Sequence, residues 1–394
     1  MREKWTSRIG IVLAVAGSAV GLGNFLRFPS QAAQNGGGAF MIPYFISFLL
    51  LGIPLMWIEW AIGRYGGLFG HGTAPLIFNR LWRHRIAKYF GAIGVFGPLA
   101  IFIYYLYIES WLLGYCVYSL TGTLGGLSTK EEMLGFLQRY QGIGSRDLFA
   151  RSYLFFLAAF ALNFLVIYRG VRGGIERLCK IALPLLFLFA LVIVVRVFTL
   201  GAPDPARPDW SVWNGLGFLW NPDLGALLDA KVWLAAAGQI LFTLSVGIGV
   251  IITYASYLSK GDDIVLSGLT ASSLNEFAEV ILGGSIVIPL AFAFFGSAGA
   301  REAAHSGSFN ISFVTMPLIF ARMGWGTLFS FLWFLLLFLA GLTSSISLIE
   351  PTVAFLGDEL SVSRKRAVKI VAAATFILCQ FPIFFIARGV VDDI

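Results

Sequence analysis

A chain of 394 residues with 58% hydrophobic and only 12% charged residues is too apolar for a soluble globular domain, where charged residues run near ~25%. The net charge of +7 sits in short segments between apolar runs, which excludes a nucleic-acid surface and points to a polytopic membrane protein. Cys116, Cys179 and Cys379 fall in or beside apolar runs without a spacing motif and read as reduced packing residues; His71, His84 and His305 share no metal-ligand spacing.

Apolar segments suggest nine spans, at about 9–33, 38–63, 87–120, 151–168, 176–198, 231–258, 263–295, 326–355 and 367–387. The first is too long for a cleavable signal and lacks a small-residue cleavage site. Basic residues set the orientation. Arg2, Lys4 and Arg8 precede span one; Arg64, Arg80, Arg83, Arg85 and Lys88 lie between two and three. Arg169, Arg172, Arg177 and Lys180 lie between four and five, and Arg364, Lys365 and Arg366 between eight and nine. All fall on one side if the N-terminus is cytoplasmic. The connections 121–150 and 199–230 are then external, the second an ordered loop rich in Pro, Asp and Trp. Residues 297–325 read as too interrupted to span, fit for a re-entrant cap.

Spans one and six share a signature. Val20-Gly21-Leu22-Gly23 matches Val246-Gly247-Ile248-Gly249, each in mid-span. Close helix packing alone would account for Gly17 and Gly21. Recurrence beside Asn24 and other polar residues favours broken helices, because glycine-interrupted segments at matching positions of two halves mark a transporter's binding site. Spans one and six are five apart and run in opposite directions, as an inverted five-helix repeat requires. Repeat one covers about 9–198. Repeat two, about 231–387, is one helix short, so a truncated chain is the expectation. The whole, 1–394, reads as a single transmembrane domain.

Polar groups converge on one depth. Tyr105 is about 18 residues into span three, or roughly 27 Å at ~1.5 Å per residue. Asn275 and Glu279 are halfway along span seven, Thr343 and Ser344 halfway along span eight, and Gly21–Asn24 and Phe242–Gly249 central in theirs. Asn24, Thr243, Asn275, Thr343 and Ser344 offer neutral oxygens, and unwound backbone near Gly17, Ala19 and Val20 adds carbonyls. Such a set suits a monovalent cation better than calcium, which takes several carboxylates. Each Ser or Thr alone is better explained by bonding to its own helix; the shared depth lifts the cluster above that. Free N–H groups near Leu22 and Gly23 suit an anion such as a carboxylate.

Glu59, Glu109, Glu276 and Glu279 are ionisable groups inside apolar spans, which are costly and point to function. Glu59 lies near a membrane face, where snorkelling or pairing with Arg64 competes with that reading. Arg27, in the outer half of span one, is either an interfacial cation or part of a gate. Taken alone, Tyr105 and Phe242 would be core aromatics.

The runs GNFLRFP, NGGGAFMIPY, GIPLMWIEWA, YIESW, ITYASY, SGLTAS followed by LNE, AEVILGGS and AGLTSSI cover the chain from Trp5 to about Glu359. In these the chain resembles the neurotransmitter:sodium symporter family. The resemblance implies an all-α polytopic fold of the LeuT type, with broken helices one and six and about nine of the usual twelve transmembrane helices. It implies two sodium sites. The first takes the Ala19 carbonyl, Asn24, Thr243 and Asn275 with the substrate carboxylate. The second takes the carbonyls of Gly17, Val20 and Ala340 with Thr343 and Ser344. The amides of Leu22 and Gly23 and the Tyr105 hydroxyl would hold the substrate carboxylate, and Phe242, Thr243 and Ser245 its ammonium. Ile101, Phe242, Ser245, Ile248 and Leu348, with Ala19 and Ser344 beside them, would line the pocket. A leucine-carrying member has Phe where Ile248 stands, Val where Ile101 stands and Ile where Leu348 stands, which leaves the exact substrate open.

The resemblance also implies an outer gate of Arg27 over a Tyr105–Phe242 lid, whose acidic partner falls near Asp392 or Asp393. An inner gate would pair Arg2 with Asp358 beside Trp5 and Tyr257. Glu279 stands where chloride-dependent relatives carry Ser, so it would replace chloride. The implied protein is a sodium-coupled, chloride-independent symporter of apolar α-amino acids in a bacterial inner (plasma) membrane. Its partners are the amino acid, sodium and the bilayer, with a homodimer left open. A substrate-gated channel would show a polar stripe through several helices, and here polarity concentrates at one depth. An intramembrane enzyme finds no HExxH, GxSxG or paired intramembrane aspartates.

Overall fold

The computed structural model describes residues 3–82, 84, 86–144, 147–222 and 224–389. In chain order its helices are α1 (Arg8–Ala19), α2 (Leu22–Phe25), α3 (Arg27–Gln34), α4 (Gly38–Leu68), α5 (Ala74–Leu81) and α6 (Ala87–Leu120). There follow α7 (Lys130–Gln141), α8 (Phe149–Tyr168), α9 (Val171–Phe198), α10 (Val212–Trp220), α11 (Ala230–Thr243) and α12 (Val250–Ala255). The chain continues with α13 (Ile264–His305), α14 (Ser308–Ala321), α15 (Gly326–Glu359) and α16 (Arg364–Ala387). Among the described residues there is no strand, only an isolated bridge between Gly37 and Pro222. Backbone polar groups in hydrocarbon must be satisfied within the segment, and helices do this.

Seven helices among the described residues, α4, α6, α8, α9, α13, α15 and α16, are long and apolar enough to cross a membrane. Segments one and six are not continuous. α1 has 12 residues, about 18 Å of helix, which falls short of a hydrocarbon core near ~30 Å. α15 is the pillar of the bundle: 89% of its apolar stretch is buried inside the protein, against 28% for α16, which turns most of its surface outward. α15 packs along α6 and α9, and α1 lies against α9, α13 and α15.

The break between α11 and α12 fits against α6 through two glycines. Gly249 has φ +82°, and a Cβ there would lie 2.5 Å from the Gly94 carbonyl oxygen, so only glycine satisfies both the left-handed backbone and the contact.

Two connections contain helix. Residues 297–325, expected to be too interrupted to span, are largely helical: α13 runs on to His305 by bending at Gly296 (φ 68°, ψ −176°), and α14 follows after Gly307 (φ 95°). Gly296 takes up the bend, so hydrogen bonding resumes beyond it. The Trp-rich connection before α11 contains α10, which packs on α13.

Candidate functional site

The site is built where two helices stop. The Val20 N–H still closes on the Ala16 carbonyl at 2.7 Å, but Val20 (ψ 90°) and Gly21 (φ −123°, ψ −163°) are extended, and α2 begins at Leu22. Beyond α11, Ser245 has φ 55°, Gly247 +84° and Gly249 +82° before α12 begins. A serine in the left-handed region costs about 1–2 kcal/mol. Its Oγ donates to the Ser18 carbonyl at 3.4 Å, tying one break to the other. The Gly247 N–H, freed by the break, donates to Glu59 Oε1 at 2.5 Å. Glu59 is therefore buried and engaged with backbone; it neither snorkels nor pairs with Arg64, whose Nη1 donates to the Asp262 carbonyl at 2.7 Å.

Between the breaks lies a cavity of about 120 Å³. Ala19, Leu22, Gly23, Ile101, Tyr105, Phe242, Thr243, Ser245, Ile248, Ser344 and Leu348 all line it, together with Gly21 and Asn24. The Leu22 N–H donates to the Tyr105 hydroxyl at 3.5 Å. A Cβ on Gly21 would sit 2.8 Å from Ser344 Oγ and 3.3 Å from the Tyr105 hydroxyl oxygen, so the absent side chain keeps that wall open. Ile101, Ile248 and Leu348 make another wall apolar. The Arg27 guanidinium stacks 4.5 Å from the Phe242 ring, which is 53% exposed.

Next to the cavity is a net of polar side chains. Asn24 Oδ1 accepts the Gly21 N–H at 2.8 Å, while Asn24 Nδ2 lies 2.8 Å from Asn275 Oδ1, 3.0 Å from Glu279 Oε2 and 3.3 Å from Thr243 Oγ1. Thr243 donates its hydroxyl to Glu279, and Asn275 Nδ2 donates to Thr243 Oγ1 at 3.1 Å. Asn24, Thr243, Asn275 and Glu279 are buried. Glu279 makes no ion pair among the described residues; Arg27 reaches it through Gln239, which accepts from Arg27 and donates to Glu279 Oε1 at 2.6 Å.

A one-turn irregularity aims Glu279. Residues Phe277–Gly283 of α13 form a π-helical turn, a feature frequent at functional sites. Gln239 and Tyr44, whose hydroxyl donates to Glu276 Oε2 at 2.7 Å, belong to this net and escaped the sequence reading. Gln239 precedes Thr243 by four residues, one helical turn on the same face, and that spacing was the available signal.

The second group is placed against α1. Ser344 Oγ reaches the Gly17 carbonyl at 3.4 Å and the Ser18 carbonyl at 3.3 Å. Thr343 Oγ1 donates to its own helix, with the Leu339 and Ala340 carbonyls both at 3.1 Å, which leaves its lone pairs free to accept. A Cβ on Gly17 would meet Thr343 Cβ at 3.3 Å, so α1 and α15 nearly touch there. The Val20 carbonyl belongs to the break above them. Glu109 stands apart: it is fully buried, and Oε1 accepts from Asn163 Nδ2 at 2.9 Å.

At the opposite end from Arg27, Trp5 Nε1 donates to the Tyr254 carbonyl at 3.0 Å and its ring packs edge-on to Tyr257. The Tyr257 hydroxyl donates to Glu350 Oε1 at 2.7 Å, and Arg364 holds Glu350 with two contacts of 2.7 Å. Asp358 Oδ2 accepts the Gly72 N–H at 2.7 Å. Arg2, Asp392 and Asp393 lie outside the described residues. Trp5 and Tyr257 are buried.

The model of the sodium:neurotransmitter symporter family matches residues 2–134 and 129–391. The chain belongs to that family. The uncharacterized sodium-dependent transporter MJ1319 of Methanocaldococcus jannaschii is 33% identical over 98% of this chain and 76% of its own length. The uncharacterized sodium-dependent transporter YhdH of Bacillus subtilis is 34% identical over 92% of this chain and 74% of its own length. The crystal structure of MhsT in complex with L-phenylalanine superposes with a TM-score of 0.82 at 32% identity, covering 98% of this chain and 81% of that one. As a member of this family the chain is a multi-pass sodium-dependent membrane transporter of a small molecule, with a LeuT-type neighbour in fold.

Proposed function

We propose that this transporter is a chloride-independent symporter of apolar α-amino acids, driven by sodium at two sites and working by alternating access. The observation that carries the reading is the position of Gly21–Asn24. The amides of Leu22 and Gly23 border the cavity, while Asn24 one residue on joins the net of Thr243, Asn275 and Glu279. A substrate carboxylate in the cavity and a cation in the net would thus neutralise each other across one turn of chain. Amides at a helix start favour a carboxylate, and the Leu22 N–H shares its place with the Tyr105 hydroxyl. Ile101, Ile248 and Leu348 favour an apolar side chain, because none can satisfy a polar one.

Asn24, Thr243 and Asn275, with the Ala19 carbonyl, form the first sodium site. Thr343, Ser344 and the carbonyls of Gly17, Val20 and Ala340 form the second. Glu279 supplies a fixed negative charge beside the first, the role chloride would otherwise fill. Arg27, Tyr105 and Phe242 form the outer gate, and Trp5 and Tyr257, with Arg2 and Asp358, the inner one. The break in α1 and that between α11 and α12 correspond across two inverted five-helix repeats, with the N-terminus cytoplasmic in a plasma membrane. Uptake of tritiated L-leucine and L-phenylalanine into proteoliposomes tests this. Accumulation with external sodium, lost in choline and retained in gluconate, is expected. Equal uptake with and without sodium would overturn the reading.

A further inference from the structure

The net around Asn24 depends on a contact that contains no polar side chain. α2 is only four residues long, Leu22–Phe25, so it has little rigidity of its own. Its placement is set by what it lies on, the π-helical turn Phe277–Gly283 of α13. At the centre of that contact, a Cβ on Gly283 would sit 2.3 Å from the Asn24 carbonyl oxygen and 3.3 Å from its carbonyl carbon. The obstacle is backbone and cannot rotate away. Gly283 has ordinary helical angles (φ −61°, ψ −47°), so alanine would suit its own backbone and the conflict is entirely with α2. Ordinary contact begins near 3.4 Å, so one added methyl requires the two chains to part by about 1 Å, where a functional group must be held within ~0.5 Å.

We propose that Gly283 is a positioning residue for ion binding: by having no side chain it seats the Asn24 backbone on α13, and so sets the distance between Asn24 and the Thr243–Asn275–Glu279 group. The π-helical turn and the glycine act together. The turn brings Glu279 into the net, and four residues later the glycine admits the chain that carries Asn24. Both partners of the 3.0 Å Asn24–Glu279 contact are thus placed by one segment. The neighbouring Gly284 provides the comparison. A Cβ there would meet only side chains, Leu219 Cδ2 at 2.8 Å and Phe28 Cε1 at 3.4 Å, besides a helix carbonyl at 3.9 Å, and these can repack.

This inference rests on the sodium reading above, and the experiment separates the two. Purified wild type, Gly283→Ala and Gly284→Ala are titrated with sodium chloride against choline chloride at constant ionic strength. Sodium-dependent thermal stabilisation is followed, which needs no knowledge of the substrate. For Gly283→Ala the half-saturating sodium concentration should rise roughly tenfold or more, the usual scale for disturbing the support of an ion site, with the full stabilisation recovered at high sodium. Gly284→Ala should change the melting temperature in the absence of sodium while leaving the half-saturating concentration within twofold of wild type. An unchanged sodium titration for Gly283→Ala would overturn the proposal, as would equal shifts in both variants. So would failure of Gly283→Ala to fold where Gly284→Ala folds, because the glycine would then serve the fold rather than the ion. A wild type that sodium does not stabilise would refute the sodium reading itself.

Discussion

Replacing Gly21 by Asp tests the substrate class directly. The missing side chain keeps open the wall between Ser344 and Tyr105, and a Cβ there already falls 2.8 Å from Ser344 Oγ. An aspartate carboxylate would occupy the place proposed for the substrate's own. Two carboxylates about 4 Å apart repel by about 4 kcal/mol at an effective dielectric near ~20. That corresponds to a loss of about three decades in affinity for an α-amino acid. Gly21→Asn has nearly the same shape without the charge, so the difference between the two variants isolates the electrostatic part. Binding of tritiated L-leucine at saturating sodium, competed with L-leucinamide and tyramine, measures it. Wild type should prefer the amino acid to both competitors, and Gly21→Asp should lose the amino acid far more than Gly21→Asn does. If wild type binds the amide or the amine as tightly as the amino acid, or if the Asp and Asn variants bind leucine alike, the carboxylate argument is wrong.

Asn24→Ala removes the acceptor of the Gly21 N–H and the donor to Asn275 and Glu279, so sodium-dependent binding should weaken by at least tenfold; the sodium titration described for Gly283 reads this. Thr343→Ala, on the other side of α1, should weaken sodium dependence with little effect on the Asn24 net, and an unchanged response in both variants would remove both site assignments. Glu279→Ser should make uptake depend on chloride, checked by gluconate replacement, and wild-type uptake that collapses in gluconate would contradict the fixed-charge reading. Gly249→Ala combines a left-handed φ with a Cβ 2.5 Å from the Gly94 carbonyl oxygen, so it should lower the melting temperature by several degrees in detergent; an unchanged value would mean that the α6 contact yields easily.

Much of the architecture could be read from residues in order because a bilayer leaves few choices. Long apolar runs must be helices, so α4, α6, α8, α9, α13, α15 and α16 were legible from composition. Glycine pairs beside Asn24 and beside Phe242–Thr243 marked the two interruptions, because glycine costs a helix most where the helix is to be continuous. Residues 297–325 read as too interrupted to span, and Gly307 (φ 95°) does separate α13 from α14, but the sequence did not show that helix persists on both sides of that break. For Glu59 the sequence left two readings open, because its partner, the Gly247 amide, exists only once the backbone near α12 has come unwound.

What the sequence by itself determined is which residues lie at mid-span and which segments cannot be continuous helix, since both follow from local spacing and from the cost of unpaired backbone in hydrocarbon. What only the tertiary structure decided is which polar groups meet. Gln239 joins Arg27 to Glu279, Tyr44 holds Glu276, and Gly283 bears the Asn24 backbone, each across 200 or so residues of chain or between separate helices. Such pairings depend on the rotation of one helix against another and on a π-helical turn that shifts α13 by part of a turn. Helix rotation is set by packing of the whole bundle rather than by any local pattern, and for that reason no spacing in the chain announces it.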